Sequence, residues 1–532
     1  MHRPTKVFLL ALVSGVCSVH AQTTPAKLAT SARLDLFAEP GAGGLASAQI
    51  PIGAGNVERM NWVPEADRVR SYTVHFPITH HAWRECAFRF VPEGSGPLTL
   101  SLMGPWEEAS PGVVYREEVL WDALQVTGAS VTSSQKWPAR VWHNEPLRLR
   151  LNVTAKMPVT VLAKARAVAP PDYHEMRRFS GRSTPAHRAA KKFLRGTNLG
   201  NYLEAPPGQD WGAKYTEADF VHIKAEGFDH VRLPVAWHHY ASNAPDFRLS
   251  DDIYAKADFL VTGALKHGLN VIVNIHHFDE FTSRPPAFAN KFYALWRQIA
   301  AHYAKFPDDV AFELLNEPKD AATTVVLNPI YTEAIRVIRE TNARRVIFVG
   351  PGKWNQVSEL PNLRLPDNDE NLIVTVHCYD PFNFTHQGAT WTSSDVKGLK
   401  GIVFPGPPAG PFVPDPATKL GRGTRDWLER YNTLPADKNP CSPLAFRRPM
   451  QEAKEWSEYY GRPVHVGEFG CYIGADASSR ARFYAEFCKV LDEFGLGWAM
   501  WDWKAGFRYW DDKTGQPASG MREALFAMPM VR

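Results

Sequence analysis

The chain has few cysteines, six in 532 residues, and their spacing shows no paired motif. Cys17 falls in a leading segment that we expect to be removed, which leaves an odd number. An odd count without motif spacing argues against a disulfide framework and against a cysteine-based zinc site. We therefore expect an apolar core to stabilise the fold, and we predict no metal site and no cofactor. Cys378 and Cys471 are expected to be buried.

The chain also lacks a strong net charge. Its formal charge is +4, and removal of residues 1–21, which contain Arg3 and Lys6, would leave about +2. So small a charge provides no electrostatic footprint for nucleic acid, and we expect an uncharged partner. One basic cluster lies in a connector that contains proline and serine, and we interpret it as a solvated linker. Its members are Arg177, Arg178, Arg182, Arg188, Lys191, Lys192 and Arg195.

Long apolar runs are scarce. The chain begins with Arg3 and Lys6, continues with the apolar stretch 7–13, and then has small residues before Gln22, which is the pattern of a secretory signal. We expect cleavage after Ala21 and a secreted or periplasmic protein. The apolar stretch is too short to span a bilayer as a stable helix, so we predict no membrane insertion.

Two sequence patterns divide the rest of the chain. From Leu34 to about Ala167, short runs alternate apolar and polar residues between glycine and proline turns. This predicts an all-β domain, most simply a jelly-roll-like sandwich, over residues 22–170. Representative runs are 72–76, 86–90, 98–102 and 147–151. The basic linker is assigned to residues 171–192.

After Arg195, strands alternate with helical segments, which is typical of parallel βα units. Eight strand candidates fit the α/β architecture of a (β/α)8 TIM barrel over residues 193–532. A doubly wound open sheet is the alternative, but no glycine-rich phosphate loop follows the first strand. The strands are predicted to end near Asn198, Leu233, Ile275, Leu315, Val349, His377, Glu468 and Trp501.

Two features are predicted between these strands. Apolar residues recur at helical spacing from Ala477 to Phe494 and stop before Gly495, which predicts a helix. The gap between His377 and Val464 is long and rich in proline, so we interpret it as an excursion from the rim where the strands end.

The candidate site residues follow from the barrel, whose chemistry is built at the carboxyl ends of the strands. Asn316-Glu317-Pro318 closes the fourth apolar run, and Glu468 closes the seventh. Two carboxyl groups at two strand ends are the layout of a retaining glycosidase, in which they stand about 5 to 5.5 Å apart. A glutamate in a surface turn can stand in the same short motif, so each motif alone is weak evidence for a catalytic residue.

These motifs resemble family 5 of the glycoside hydrolases, the cellulase-like retaining β-glycosidases, over most of residues 193–515. The segments 195–204 and 497–503 are similar to that family's first and eighth strands. The resemblance implies that Glu317 is the general acid/base and Glu468 the nucleophile. It also implies that Asn316 binds the 2-hydroxyl of the substrate and that Trp501 forms a platform beneath the reacting sugar.

The chemistry of these roles predicts further partners. The acid has to be protonated when substrate arrives, whereas the nucleophile has to be ionised. Arg232, at the second strand end, is the natural cation beside Glu468, although it could instead cap an ion pair of the barrel. Tyr379 is expected to hydrogen-bond the nucleophile, and His377 the acid.

For several aromatic residues the sequence leaves open whether the side chain lines the site or packs elsewhere. Adjacent histidines on a strand point to opposite faces, and the family resemblance favours His276 over His277 as the inward one. The tryptophans outside the motifs either line a sugar cleft or pack in the interior. They are Trp211, Trp391 and Trp503 in the barrel region and Trp62, Trp83, Trp106, Trp121, Trp137 and Trp142 in the β domain, which loosely resembles carbohydrate-binding modules.

The resemblance implies an endo-β-1,4-glucanase that acts with net retention on a plant or microbial polysaccharide or its oligosaccharides. Residues 379–391 are similar to the sixth loop of cellulase members, which favours glucan. A β-mannanase or an exo-β-1,3-glucanase on the same barrel is the alternative. A carbohydrate-binding protein with an inactive barrel is the alternative of another class, but it requires a missing catalytic group. We expect a monomer.

Overall fold

The structure is a computed structural model. It describes residues 28–38, 45–49, 59–65, 68–105, 117–142, 145–169, 175–179 and 181–526. The expected signal segment, residues 1–21, lies outside these ranges. The predicted cleavage after Ala21 therefore stays a prediction.

The amino-terminal region is an antiparallel sheet of eleven strands, which confirms the prediction of an all-β domain. The strands are β1 (Ser31–Ala38), β2 (Leu45–Gln49), β3 (Arg59–Glu65), β4 (Arg68–Pro77), β5 (Arg84–Pro92), β6 (Gly96–Met103), β7 (Val119–Thr127), β8 (Ala129–Thr132), β9 (Ala139–Val141), β10 (Leu147–Val153) and β11 (Val159–Ala167). Their order in the sheet is β8-β10-β6-β1-β4-β2-β5-β11-β7-β9, with β3 beside β4. Strands β1 and β11 contact each other although three strands separate them, so the sheet folds over on itself.

The alternation that predicted these strands also decides which faces are buried. In β10, Leu149, Leu151 and Val153 are buried, while Arg148 and Arg150 are exposed. The inward-facing residues of the folded sheet form one apolar core with Trp121 at full burial. The outward face is polar, because successive side chains of a strand point to opposite sides.

The second region is a closed barrel of eight parallel strands, as predicted. The strands are β12 (Arg195–Asn198), β13 (His230–Leu233), β14 (Asn270–Asn274), β15 (Val310–Glu313), β16 (Ile347–Val349), β17 (Leu372–His377), β18 (Val464–Glu468) and β19 (Gly497–Met500). Five of the eight predicted ends match, and those near Ile275, Leu315 and Trp501 fall one or two residues late. A short hairpin of β20 (Trp510–Asp511) and β21 (Gln516–Pro517) follows the barrel.

Helices connect the strands and cover the barrel. They are α1 (Pro185–Ala190), α2 (Glu217–Ala225), α3 (Asp251–Lys266), α4 (Asp279–Ser283), α5 (Pro285–His302), α6 (Thr324–Arg339), α7 (Gly352–Asn355), α8 (Phe382–Thr385), α9 (Ser394–Gly398), α10 (Arg422–Thr433), α11 (Leu444–Tyr460), α12 (Ala477–Phe494) and α13 (Met521–Phe526). Short 3₁₀ turns lie at Trp237–Tyr240, Tyr303–Lys305, Val357–Asn362 and Ala436–Lys438. Helix α12 has the predicted bounds, because the Asp476 side chain caps its start and left-handed Gly495 ends it. Among the described residues, no helix combines the length and the apolar character that crossing a membrane requires.

The segment between the two regions packs against the barrel. Helix α1 covers the amino-terminal end of the barrel, where Ala186 joins an apolar cluster with Phe193 and Phe348. Of the predicted solvated basic residues only Arg195 is buried, and the others stay exposed although several have a partner on the barrel. The Arg178 guanidinium lies over the Tyr459 ring, Arg182 pairs with Glu370, and Lys192 pairs with Asp309.

Direct contacts also dock the β domain onto the barrel. The backbone N–H of Leu28 donates to Asn362 Oδ1 at 2.8 Å, in the loop that follows β16. Arg84 pairs with Glu455 of α11 at 3.0 Å, and Tyr460 at the end of α11 lies 3.2 Å from the His81 ring nitrogen. The β domain thus lies against the side of the barrel, from the loop after β16 at the carboxyl-terminal rim to the end of α11 near the amino-terminal end.

Candidate active site

Glu468 lies at the end of β18, buried, with a partner on each carboxyl oxygen. Arg232 Nη1 donates to Oε1 at 2.7 Å, and the Tyr379 hydroxyl donates to Oε2 at 2.8 Å. Burial raises the pKa of this carboxyl, while the charge of Arg232 and the bond from Tyr379 act in the opposite direction. Both predicted partners of Glu468 are therefore in place, and they favour its ionised form.

Arg232 is the centre of a buried ionic network. Its guanidinium donates to both oxygens of Glu313, at 2.6 and 2.7 Å, in the bidentate geometry typical of strong arginine pairs. It also donates to Asn198 Oδ1 at 2.8 Å and to Asn316 Oδ1 at 2.7 Å. The two predicted roles of Arg232 coincide, because it closes an ion pair of the barrel and holds Glu468.

Glu317 follows β15 and has different surroundings. Its Oε1 lies 2.9 Å from His377 Nδ1, as predicted, and burial raises its pKa to about 7. Arg232 and Lys319 act against that rise. Burial lowers the pKa of His377 to about 4, so the imidazole is neutral near pH 7 and hydrogen-bonds Glu317 without ionising it. Glu317 also has a left-handed backbone, with φ of 43°, a conformation that costs free energy and recurs at functional sites.

The separation of the two carboxyl groups selects between two kinds of chemistry. One oxygen of Glu317 and one of Glu468 lie within 4.8 Å of each other. Retaining glycosidases place their carboxyl groups about 5 to 5.5 Å apart, whereas inverting enzymes need about 6.5 to 9.5 Å to hold a water between them. The short separation fits direct attack by one carboxylate on the sugar.

The same groups form a candidate metal site. Glu317, His377 and Glu468 present three ligand atoms within 4.8 Å of one another, a donor set that a divalent cation can use. However, both oxygens of Glu468 already accept hydrogen bonds, and the guanidinium of Arg232 beside them repels a cation. The arrangement therefore fits proton transfer better than metal binding.

The two adjacent histidines behave differently from the prediction. They follow β14 rather than continuing it, and His277 has a φ of 51°, so the rule of opposite faces does not apply. Both rings line the cleft, with centroids 4.2 Å apart. Burial lowers the pKa of both, which keeps them neutral at physiological pH. The His276 ring is nearly parallel to the ring of Trp501, the predicted platform, and the two ring centroids are 5.7 Å apart.

A cleft of about 3280 Å³ contains both carboxyl groups. The sequence left open which tryptophans line the cleft and which pack in the interior. Trp211 and Trp391 line the cleft, whereas Trp503 is buried and its indole N–H donates to Asp219 at 3.0 Å. In the β domain, Trp121 belongs to the core and Trp137 packs against it. Trp106 and the side chain of Trp62 lie outside the described residues. Cys378 and Cys471 are buried thiols, as predicted.

Sequence reasoning missed several residues of the cleft. Glu204 is buried at its edge, where burial raises its pKa to about 7 and its carboxyl accepts the backbone N–H groups of Asn201 and Tyr202. Trp354, 49% exposed, stands on the loop after β16. Its backbone N–H donates to the carbonyl of Pro318, next to Glu317. Sequence reasoning also missed Glu313, the partner of Arg232. The available signal was a single acidic residue within the apolar run 310–315.

Comparison with known proteins agrees with this geometry. Residues 188–506 match the family model described as Cellulase (glycosyl hydrolase family 5). Endoglucanase H of Acetivibrio thermocellus is 27% identical over 380 residues, which are 70% of this chain and 37% of that protein. Endoglucanase 3 of Fibrobacter succinogenes is 28% identical over 363 residues, which are 64% of this chain and 54% of that protein. The chain therefore spans only about a third to a half of these two relatives.

Solved structures share the barrel. Cel5A of Thermotoga maritima in a complex with cellobiose superposes with a TM-score of 0.56 at 32% identity, covering 65% of this chain and 99% of that chain. The same protein with mannotriose gives a TM-score of 0.54 at 32% identity, covering 64% and 99%. The cellulose synthase subunit Z of Clostridioides difficile gives 0.54 at 29% identity, covering 63% and 99%. Because the family model matches more than half of the chain, the chain belongs to glycosyl hydrolase family 5.

Proposed function

We propose that this chain is a retaining endo-β-1,4-glucanase that uses Glu317 as general acid/base and Glu468 as nucleophile. The observation that carries the proposal is the pair of carboxyl groups within 4.8 Å of each other, in surroundings that favour opposite protonation states. Arg232 and Tyr379 bind the oxygens of Glu468, whereas burial without a bound cation keeps the proton on Glu317.

In the first step, a carboxylate oxygen of Glu468 attacks the anomeric carbon of the sugar. The bond from that carbon to the glycosidic oxygen breaks, and Glu317 gives its proton to the departing oxygen. The product is a glycosyl ester of Glu468, and Glu317 is left as a carboxylate. The hydrogen bonds from Tyr379 and Arg232 orient the carboxyl group that attacks.

In the second step, Glu317 acts as the base. It takes a proton from a water molecule, whose oxygen attacks the anomeric carbon and releases Glu468 as a carboxylate. Two inversions give net retention, and both residues return to their starting states. Arg232 balances the charge that Glu468 regains, because its Nη1 lies 2.7 Å from Oε1 of that carboxyl group.

The choice of glucan rests on three supports. The cleft of about 3280 Å³ exceeds the roughly 300 to 1,000 Å³ of small-ligand pockets, which suits a polymer. The indole rings of Trp501, Trp354 and Trp391 line it and suit the apolar faces of pyranose rings. The relatives compared are endoglucanases. A β-mannanase is the second candidate, favoured by the structural neighbour that holds mannotriose.

Release of reducing ends by the full chain tests this function on carboxymethyl-cellulose, mixed-linkage β-glucan, mannan and laminarin. The Glu317→Ala variant serves as the blank. Cleavage of the first two is expected. Activity confined to mannan would assign the second candidate, and activity confined to laminarin would contradict β-1,4-glucan as the substrate.

We further propose that the protein is exported and monomeric. The signal-like residues 1–21 support export. Expression of the whole reading frame followed by mass analysis of the extracellular or periplasmic product is expected to give an amino terminus at Gln22. A single species near the mass of one chain is expected from light scattering after gel filtration, and a dimer would contradict the monomer.

A further inference from the structure

The β domain lines part of the same cleft that contains the two catalytic carboxyl groups. The cavity that contains Glu317 extends into the crevice between the β domain and the barrel, where Ser31 and Arg33 of β1 and Thr73 and His75 of β4 line it. These are not core residues, because the core of that domain is formed by the alternate positions of both strands. One face of the two strands therefore packs in the core of the β domain, and the other face lines the cavity.

The register of the two strands places the polar residues together. In the antiparallel pair β1 and β4, Arg33 stands opposite His75, and Asp35 stands opposite Thr73. Asp35 accepts from Arg33 Nε at 2.8 Å and from Arg33 Nη2 at 2.6 Å, which holds the guanidinium in one orientation. Ser31 and His75 are buried, whereas Arg33 and Thr73 are partly exposed and present a held guanidinium and a hydroxyl, which are groups suited to hydrogen-bonding sugar hydroxyls.

The position of this surface relative to Glu317 decides whether it can bind the leaving part of the substrate or the part that stays on the enzyme. The β domain is docked through Asn362, on the loop after β16 that also carries Trp354. The backbone N–H of Trp354 donates to the carbonyl of Pro318, so this loop stands beside Glu317. Because Glu317 protonates the departing oxygen, the loop and the β domain lie on the side of the leaving chain.

We infer that the outer face of β1 and β4 is an additional binding surface for the leaving-side part of a long glucan chain. The inference rests on the proposed function, which supplies the direction of the chain in the cleft. The surface binds a segment of the polymer that short substrates do not reach. The β domain would therefore contribute to the affinity for polymers without touching the reacting sugar.

The test compares a long and a short substrate for Arg33→Ala and Thr73→Ala. The long substrate is mixed-linkage β-glucan, and the short one is an aryl β-cellobioside, which has no sugar on the leaving side. We expect KM on the glucan to rise about 5- to 20-fold with kcat unchanged, since each variant loses hydrogen bonds to the chain. Both variants should keep the parental kcat/KM on the cellobioside within about twofold.

Arg150→Ala is the matched control. Arg150 is an exposed arginine on the outer face of β10 in the same sheet, and it does not line the cleft. It should leave both substrates unaffected. If Arg33→Ala and Thr73→Ala also leave KM on the glucan unchanged, the surface is not a binding surface, although the glucanase function stands. If the parent protein cleaves neither substrate, the glucanase function fails and this inference fails with it.

Discussion

The two ends of the barrel are built from the same eight strands, but one end is mainly apolar and the other is ionic. At the amino-terminal end, Ile272, Ala311, Phe348 and Ile373 form an apolar cluster under helix α1. At the carboxyl-terminal end the strands finish in the ionic network around Arg232. Barrels of this kind place stability at the first end and chemistry at the second.

The contrast is visible within a single strand. Strand β15 contributes Ala311 to the apolar cluster and, two residues later, Glu313 to the network around Arg232. A short step along the strand thus separates residues whose loss should affect folding from residues whose loss should affect turnover. Substitutions at the two ends are therefore expected to separate stability from activity.

The largest expected effect is on turnover, from Glu468→Ala. Loss of the nucleophile removes the covalent step, so kcat should fall on the order of 10⁴-fold or more. The fold should persist, because Arg232 keeps its bidentate pair with Glu313. Azide is expected to restore part of the cleavage of an activated aryl glycoside by entering the space of the lost carboxyl group. No rescue together with a normal melting curve would count against Glu468 as the nucleophile.

The second expected effect is a loss of stability from a substitution at the amino-terminal end of the barrel. Phe348→Ala removes a fully buried ring that contacts the rings of Phe193 and His465, both at 5.4 Å. The free energy of unfolding should fall by about 3 to 5 kcal/mol, while kcat of the folded fraction stays near the parental value. Phe259→Ala is the control, because that ring is 49% exposed and its loss should change stability by about 0.5 kcal/mol or less. A large fall in kcat with unchanged melting would break the division between the two ends.

A smaller effect is expected from Tyr379→Phe, which deletes one hydrogen bond to Glu468. A bond to a charged group contributes about 1.5 to 3 kcal/mol, so kcat/KM should fall roughly 10- to 150-fold. Tyr331→Phe is the matched control, since Tyr331 is buried in α6 and its hydroxyl has no hydrogen-bond partner among the described residues. Equal kinetics for the two variants would remove Tyr379 from the site.

The smallest predicted effect is the pH dependence. Glu317 has to be protonated, and its pKa is about 7, so kcat/KM should fall as pH rises through that value. Glu468 has to be ionised, so activity should also fall as pH drops through its raised pKa. A pH profile on a cellobioside whose leaving group needs no proton should lose the alkaline limb only. Persistence of that limb would show that another group titrates there.

Much of the fold was predictable because it follows from local chemistry. The alternation in 147–151 and the capped run Ala477–Phe494 are signals of period 2 and period 3.6. The helix has the expected bounds, and the strand begins at Leu147 as expected but continues to Val153. The ends of β14, β15 and β19 were placed late, because apolar residues continue past the last ladder pair at these strands. Hydrogen-bonded pairing, which the apolar pattern does not report, decides where a strand ends.

The site was predictable only where residues stand at strand ends. Glu317, Glu468, His377 and Tyr379 are adjacent to such ends and lie together as expected. The roles of Glu204 and Trp354 depend on loops, whose direction is set by contacts distant in sequence. The partnership of Arg232 with Glu313 joins residues 81 positions apart, and only the closed barrel shows that they meet.

The central claim is that Glu468 forms a covalent glycosyl intermediate at the carboxyl end of the barrel. The most direct measurement is to incubate the full chain with an activated 2-deoxy-2-fluoro-cellobioside, which slows the second step, and to map the added mass by peptide sequencing. We expect a gain of one fluorinated cellobiosyl group on Glu468, which is lost again when a sugar acceptor is added. A label on any other residue, or turnover of the parent substrate to the inverted anomer without a label, would contradict it.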